Sequence, residues 1–81
     1  MNKVDYSFEW YVEKTKSILS KTLSKGEKID QIKIQLFMKR HQMPAGYNRA
    51  MKMYERLCND GFLIRDTKNL GAYINREGGK E

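Results

Sequence analysis

Three polar side chains, Asn48, Lys52 and Arg56, are spaced four residues apart, and Arg49 lies close to them in the chain. If this stretch is helical, residues four apart form one row along a helix face, and Arg49 forms a neighbouring row with Lys52 and Arg56. Arginine can donate two hydrogen bonds to guanine O6 and N7, asparagine can bond adenine in the same two-point way, and lysine can hold a phosphate. These side chains therefore have the composition of a surface that reads a major groove.

An ordinary solvated helix face would also show charges at these spacings, and Glu55 favours that alternative. The net charge of residues 44–61 is only +1, from three cations and two acids. The interpretation therefore depends on the faces that the charges occupy and not on charge density.

Residues 46–60 are predicted to form the helix that carries this row. Pro44 ends any preceding helix, because the residue before a proline avoids helical geometry, and Gly61 is a suitable stop. The side chains predicted to face the core are Tyr47, Ala50, Met51, Tyr54, Leu57 and Cys58. Residues at the start of such a helix lie deepest in a groove, which favours Asn48 and Arg49 for base reading. Tyr47 could bond a phosphate through its hydroxyl or serve the core.

Two helices are predicted before this one. Apolar residues at steps of three and four indicate a long first helix over residues 6–25, with Asp5 or Ser7 as its cap and Gly26 as its end. A second helix is predicted over residues 28–42. Its expected apolar face is Ile29, Ile32, Leu36 and Phe37, broadened by Ile34 and Met38.

After Gly61, residues 62–76 are predicted to form a β-hairpin with a polar tip, called the wing below, and residues 77–81 a frayed tail. The predicted fold class is mainly α with a small β-hairpin. More specifically, we predict a single winged helix-turn-helix domain over residues 1–81, with a long N-terminal helix.

Further basic residues flank the predicted recognition helix. Lys39 and Arg40 could contact backbone phosphates, or could simply complement the carboxyl end of the second helix. Arg65, Lys68 and Asn69 lie near the wing tip, where they could reach a minor groove or phosphate or form an ordinary polar turn. The complete set of candidate DNA-contacting residues is Tyr47, Asn48, Arg49, Lys52, Arg56, Lys39, Arg40, Arg65, Lys68 and Asn69.

The composition favours an anionic partner and disfavours several classes of protein, among them disulfide-bonded, zinc-binding and membrane-binding proteins. Sixteen Lys and Arg against ten Asp and Glu give 81 residues a net charge of +6. One cysteine, Cys58, excludes an internal disulfide and multi-cysteine zinc patterns, and His41, the single histidine, has no convincing partner for a metal or catalytic role. We predict no enzyme activity, no cofactor and no metal.

The sequence shows neither a signal peptide nor a long apolar run, so we predict a cytoplasmic protein that does not bind membranes.

Residues 46–50 spell GYNRA and continue through an amphipathic helix and a glycine into an apolar strand. This pattern resembles the C-terminal winged-helix (gamma) domain of FtsK-type DNA translocases, over roughly residues 30–76. The resemblance implies that the helix start reads double-stranded DNA and that Asn48 and Arg49 contact bases or phosphates. The chain departs from that family in having no motor domain or nucleotide-binding loop and in carrying a long helix before the winged core.

The function predicted from the sequence is double-stranded DNA binding, sequence-specific, as a small regulator or as an accessory factor in replication, partition or recombination. Because one winged helix offers little contact area, we predict a homodimer or several copies on DNA, with Trp10, Tyr6 and Met1 as the self-association surface. The alternative is a protein-interaction module whose third helix or wing binds a protein partner.

Overall fold

A computed structural model describes residues 7–66 and 71–75. The described part consists of three helices and a small three-stranded antiparallel sheet, and it is mainly helical. In chain order the elements are α1 (Phe8–Thr22), β1 (Lys28–Ile29), α2 (Gln31–Arg40), α3 (Tyr47–Asn59), β2 (Leu63–Arg65) and β3 (Ala72–Ile74). The expectation of a mainly α protein with a small antiparallel strand pair is confirmed.

The sheet has the order β1-β3-β2, so the last strand lies in the middle. Leu63 is paired with Ile74 and Arg65 with Ala72 in the β2–β3 pair, while Ile29 lies opposite Ala72 in the β1–β3 pair. The strands alternate in burial, so Leu63, Ala72 and Ile74 face the core. The wing predicted at 62–76 thus contains β2 and β3. Residues 67–70 of its tip, residue 76 at its end and the tail at 77–81 lie outside the described residues.

The predicted second helix at 28–42 is wrong at both ends. Lys28 and Ile29 form strand β1, and the Asp30 carboxylate accepts a hydrogen bond of 2.9 Å from the Lys33 amide, which makes Asp30 the N-cap of α2. At the other end, the helix stops at Arg40 because the backbone turns into a left-handed conformation at Gln42. The strand was missed because its partner lies more than forty residues later in the chain.

The first helix ends before the predicted span of 6–25 does. Residue 6 of that span, together with Met1 and Asp5, lies outside the described residues. Ser7 is its N-cap, since its hydroxyl oxygen accepts a 3.2 Å hydrogen bond from the Trp10 amide. The helix ends at Thr22, three residues before the predicted end, and Gly26 lies in the following turn with φ of +81°. In that turn the Glu27 carboxylate accepts a 2.9 Å hydrogen bond from the Ser24 amide, which stabilises the exit from the helix.

The core lies where the three helices meet the inner face of the sheet. The largest fully buried side chains are Ile34, Met38, Met53, Leu57, Leu63, Val12 and Thr15. Thr15 is the one buried polar residue among the described positions, and its hydroxyl lies 3.6 Å from the sulfur of Met43. This contact joins α1 to the connection between α2 and α3, so the first helix helps to position the entry into α3.

The apolar face predicted for the second helix is wrong in two of its members. Ile34 and Met38 are fully buried, whereas Ile32 and Leu36 are 65% and 58% exposed. The helix carries apolar residues on two sides, and only one side can contact the core, so the periodicity of the sequence did not decide between them.

Candidate nucleic-acid interface

The connection between α2 and α3 fixes where the third helix begins. At the end of α2 the Met43 amide donates to the Met38 carbonyl (2.8 Å) and the Gln42 amide donates to the Lys39 carbonyl (3.1 Å). This pair of hydrogen bonds closes the helix as a Schellman motif, with Gln42 in the left-handed position at φ of +61°. The Gln35 side-chain amide then donates to the Ala45 carbonyl at 2.9 Å. The tight connection therefore holds the first residues of α3 in a defined place.

Helix α3 begins without a side-chain cap. Gly46 occupies the N-cap position and has no side chain to accept a hydrogen bond, and the first turn contains no acidic residue. The first N–H groups of a helix lack partners within the helix, and the aligned peptide dipoles make this end electropositive. The start of α3 is therefore a suitable place for an anionic oxygen.

The two sides of α3 differ sharply in burial. Ala50, Met53 and Leu57 are fully buried against the rest of the molecule. On the other side the polar side chains are exposed, and they are Asn48, Arg49, Lys52, Glu55 and Asn59. The buried face differs from the predicted one, because Met53 joins the core while Met51, Tyr54 and Cys58 are only half-buried.

Tyr47 does not belong to the core. Its side chain is 60% exposed, at the first position of α3, next to Asn48 and Arg49. Of the two roles that the sequence left open, the core role is therefore wrong. The phenol is accessible together with the polar residues that follow it.

Arg56 is held by carboxylates of its own chain. Its two terminal nitrogens lie 2.5 and 2.6 Å from the two oxygens of Glu9, and Nε lies 2.9 Å from the Asp60 carboxylate. Lys16 also binds Asp60, at 2.8 Å. This set, called the carboxylate clamp below, joins α1 to the end of α3. Sequence spacing indicates the Arg56–Asp60 pair, but nothing in the sequence indicates Glu9, which is 47 residues away.

The electrostatics of the carboxylate clamp are mutually favourable. The hydrogen bonds from Arg56 lower the pKa of Glu9, while those from Lys16 and then Arg56 lower the pKa of Asp60. In turn, Glu9 and then Asp60 raise the pKa of Arg56. Among the cations predicted to form the exposed row, Arg56 is thus the least available for contact with a partner molecule. Lys52, by contrast, is exposed, with its ammonium group 6.0 Å from the centre of the half-buried Phe8 ring.

The flanking candidates lie at several places around α3. Lys39 and Arg40 are exposed in the last turn of α2. Arg65 is exposed on β2, with its guanidinium 5.7 Å from the centre of the Tyr54 ring, and a hydrogen bond with Cys58 raises the pKa of Arg65. Lys68 and Asn69 lie outside the described residues.

A shallow depression of about 350 Å³ lies beside the start of α3. It is lined by Asp30, Gln31, Ile32, Tyr47, Tyr54 and Gly71, which come from the start of α2, from α3 and from the approach to β3. Burial of the Tyr54 ring raises the pKa of its hydroxyl. The exposed Ile32 and Tyr47 side chains make part of this depression apolar. Sequence periodicity did not predict this feature, because it placed Ile32 on the apolar face of the second helix and left Tyr47 between a core role and a phosphate contact.

Within residues 7–66 and 71–75, no group of three or more histidine, cysteine or acidic side chains is placed to hold a metal ion. No helix in the described ranges is both long and apolar enough to cross a membrane.

Comparison of the chain with protein-family models, curated proteins and solved structures gave no significant match. The resemblance to the FtsK gamma domain therefore rests on residues 46–50 and the pattern around them, and it stays a prediction.

Proposed function

We propose that this chain is a winged helix-turn-helix protein that binds double-stranded DNA, with the start of α3 in the major groove. The observation that carries the proposal is the division of α3 into a fully buried side and an exposed side that begins with Tyr47, Asn48, Arg49 and Lys52. A helix held on one side by the core can enter a groove as a rigid element.

The element order supports this proposal. Helix, short strand, two helices and an antiparallel strand pair follow one another, and the short strand joins the pair as a third strand. Winged helix-turn-helix domains have this arrangement, in which a short connection between the second and third helices presents the third. The connection at residues 41–46 is also short, and hydrogen bonds at Gln42, Met43 and Ala45 hold it.

Each exposed group at the start of α3 has a role in the proposed complex. Asn48 and Arg49 read base edges, since both can form two-point hydrogen bonds with purines, and Lys52 holds a phosphate. The uncapped N–H groups of the first turn and the hydroxyl of Tyr47 bind phosphate oxygens. Glu55 lies further along the same side, where its carboxylate can accept a hydrogen bond from a cytosine amino group.

Arg56 has a different role from the one that its spacing suggested. Its donors already bind Glu9 and Asp60, so its guanidinium braces α3 against α1 instead of contacting DNA directly. Lys39, Arg40 and Arg65 are outer phosphate contacts. Since a single module of this size has a small contact area, a dimer or several adjacent copies complete the complex.

The test is a fluorescence anisotropy titration of a labelled mixed-sequence duplex at about 50 and about 200 mM salt. Lys52→Ala is expected to weaken binding and to reduce the salt dependence by about one counterion, because Lys52 holds a phosphate. Arg49→Ala is expected to weaken binding by about 1–3 kcal/mol, because it removes a two-point contact with a base. Lys21→Ala is the matched control, because it removes the same charge from an exposed position on α1. Binding that is absent at low salt, or that is equally weakened by all three variants, would contradict the proposal.

A further inference from the structure

Three of the large apolar side chains that the described residues expose lie close together. Ile32 and Leu36 are four residues apart on α2 and therefore lie on the same side of that helix, and Ile32 lines the same depression as Tyr47. Each of the three is more than half exposed. Single exposed apolar residues are common on protein surfaces, whereas a group of adjacent ones indicates an interaction surface.

This apolar group is bordered by cations. Lys33, Lys39 and Arg40 are exposed on α2, and within the described ranges no ion pair involves them. Helix α2 contains no acidic residue, and Asp30 before it is used as the N-cap. The exposed side of α2 is therefore an apolar strip with positive charge around it.

The charge determines what kind of partner fits. In a symmetric contact between two copies, each α2 would place its three cations near those of its partner, which is unfavourable. A partner helix with an apolar stripe and acidic flanks would cover Ile32 and Leu36 and pair with the surrounding cations at the same time. We propose that the exposed side of α2 binds an acidic amphipathic helix of a partner protein.

This surface is separate from the proposed base-reading residues. Leu36 lies on α2, whereas Asn48, Arg49 and Lys52 lie on α3 and need no contribution from Leu36. Lys39, Arg40 and Tyr47 belong both to this surface and to the proposed phosphate contacts, whereas Leu36 belongs to this surface alone. Substitutions at Leu36 therefore distinguish this inference from the proposed DNA-binding function.

The probe is a synthetic helical peptide of about 18 residues, with leucines at steps of three and four and glutamates at most other positions. It is titrated into the isotopically labelled full chain, and amide chemical shifts are followed by NMR. We expect saturable shifts in residues 31–40, and at least tenfold weaker binding to Leu36→Glu, which removes the apolar contact and introduces a repelling charge. A peptide of the same composition in scrambled order is expected not to saturate.

Ser17→Glu is the matched control, since it introduces the same charge at an exposed position on α1. Leu36 is largely exposed, so Leu36→Glu is expected to keep its thermal melting temperature. Leu36→Ala, which adds no charge beside Lys39 and Arg40, is expected to keep its affinity for duplex DNA. Equal binding of the ordered and scrambled peptides, shifts centred on α3, or unchanged binding to Leu36→Glu would overturn the inference. Concentration-dependent self-association that Leu36→Glu abolishes would also overturn it, because the occupant would then be a second copy.

Discussion

Replacing Gln42 by glycine is expected to stabilise the protein. Gln42 is the one residue other than glycine with a positive φ among the described positions, and it closes α2 in the left-handed region. For an L-residue this conformation costs about 1–2 kcal/mol. Glycine removes that cost but gives the unfolded chain more freedom, which offsets about 0.5–1 kcal/mol of the gain. The expected net gain in the free energy of unfolding is therefore about 0–1.5 kcal/mol. Each kcal/mol raises the melting temperature of a domain of this size by roughly 4–8 °C.

The reverse substitution, in which a glycine in the left-handed conformation is replaced by alanine, can be made at the end of α3. Gly61 occupies the same position in a second Schellman motif, where its amide donates to Cys58 (3.1 Å) and the Phe62 amide donates to Leu57 (3.0 Å). Its φ is +80°, and apart from the glycine and its chain neighbours no heavy atom lies within 4 Å of where a Cβ would be. Gly61→Ala therefore tests backbone conformation without a steric clash, and it is expected to destabilise the protein by about 1 kcal/mol.

Both variants are measured by thermal and urea unfolding followed by circular dichroism, with Gln42→Ala as the control that keeps a Cβ at position 42. Gln42→Gly should melt above the wild type, Gln42→Ala close to it, and Gly61→Ala below it. If Gln42→Gly melts below the wild-type temperature while Gly61→Ala behaves as expected, the left-handed closure of α2 is refuted. The positioning of α3 by that closure would be refuted with it.

Three other variants test the packing of the core, the cap of α1 and the carboxylate clamp. Leu57→Ala should destabilise by about 2–5 kcal/mol in urea unfolding, since Leu57 is fully buried; a loss under 1 kcal/mol would contradict that burial. Ser7→Ala should cost about 1 kcal/mol by removing the cap of α1, and an unchanged melting temperature would exclude that cap. Folding lowers the pKa of Glu9 and Asp60, so their contribution to the free energy of unfolding is complete above their ordinary pKa values of 4.5 and 3.8 and is lost as pH falls through the lower folded values. The double variant Glu9→Gln with Asp60→Asn should reduce this loss of stability in acid. An unchanged dependence of stability on pH would exclude the clamp.

The parts of the fold that depend on local chemistry could be predicted from the sequence. Ser7 can cap a helix, Gly61 can end one, and α3 lies within the predicted span of 46–60 because its periodicity and its boundaries agree. These features depend on side chains and backbone conformations that act over a few residues.

The parts that depend on distant partners could not be predicted. Strand β1 exists because Ile29 meets Ala72, and Arg56 is removed from the exposed row because Glu9 reaches it from α1. In α2, the choice between Ile34 and Ile32 for the core follows from the packing of α2 on α3, whereas both fit helical spacing. The exposed start of α3 was predicted as a site from residue types, but its uncapped first turn and the accessible Tyr47 follow from the structure.

The most direct test of the central proposal is selection of duplexes from a random pool by the purified chain, repeated with Arg49→Ala. We predict that the wild type enriches a short motif, and that Arg49→Ala loses preference at one or two base pairs of that motif while Lys21→Ala keeps all of it. Such a loss is expected because a two-point contact with a base contributes about 1–3 kcal/mol of discrimination. No enriched motif, or the same motif from Arg49→Ala as from the wild type, would contradict base reading by the start of α3.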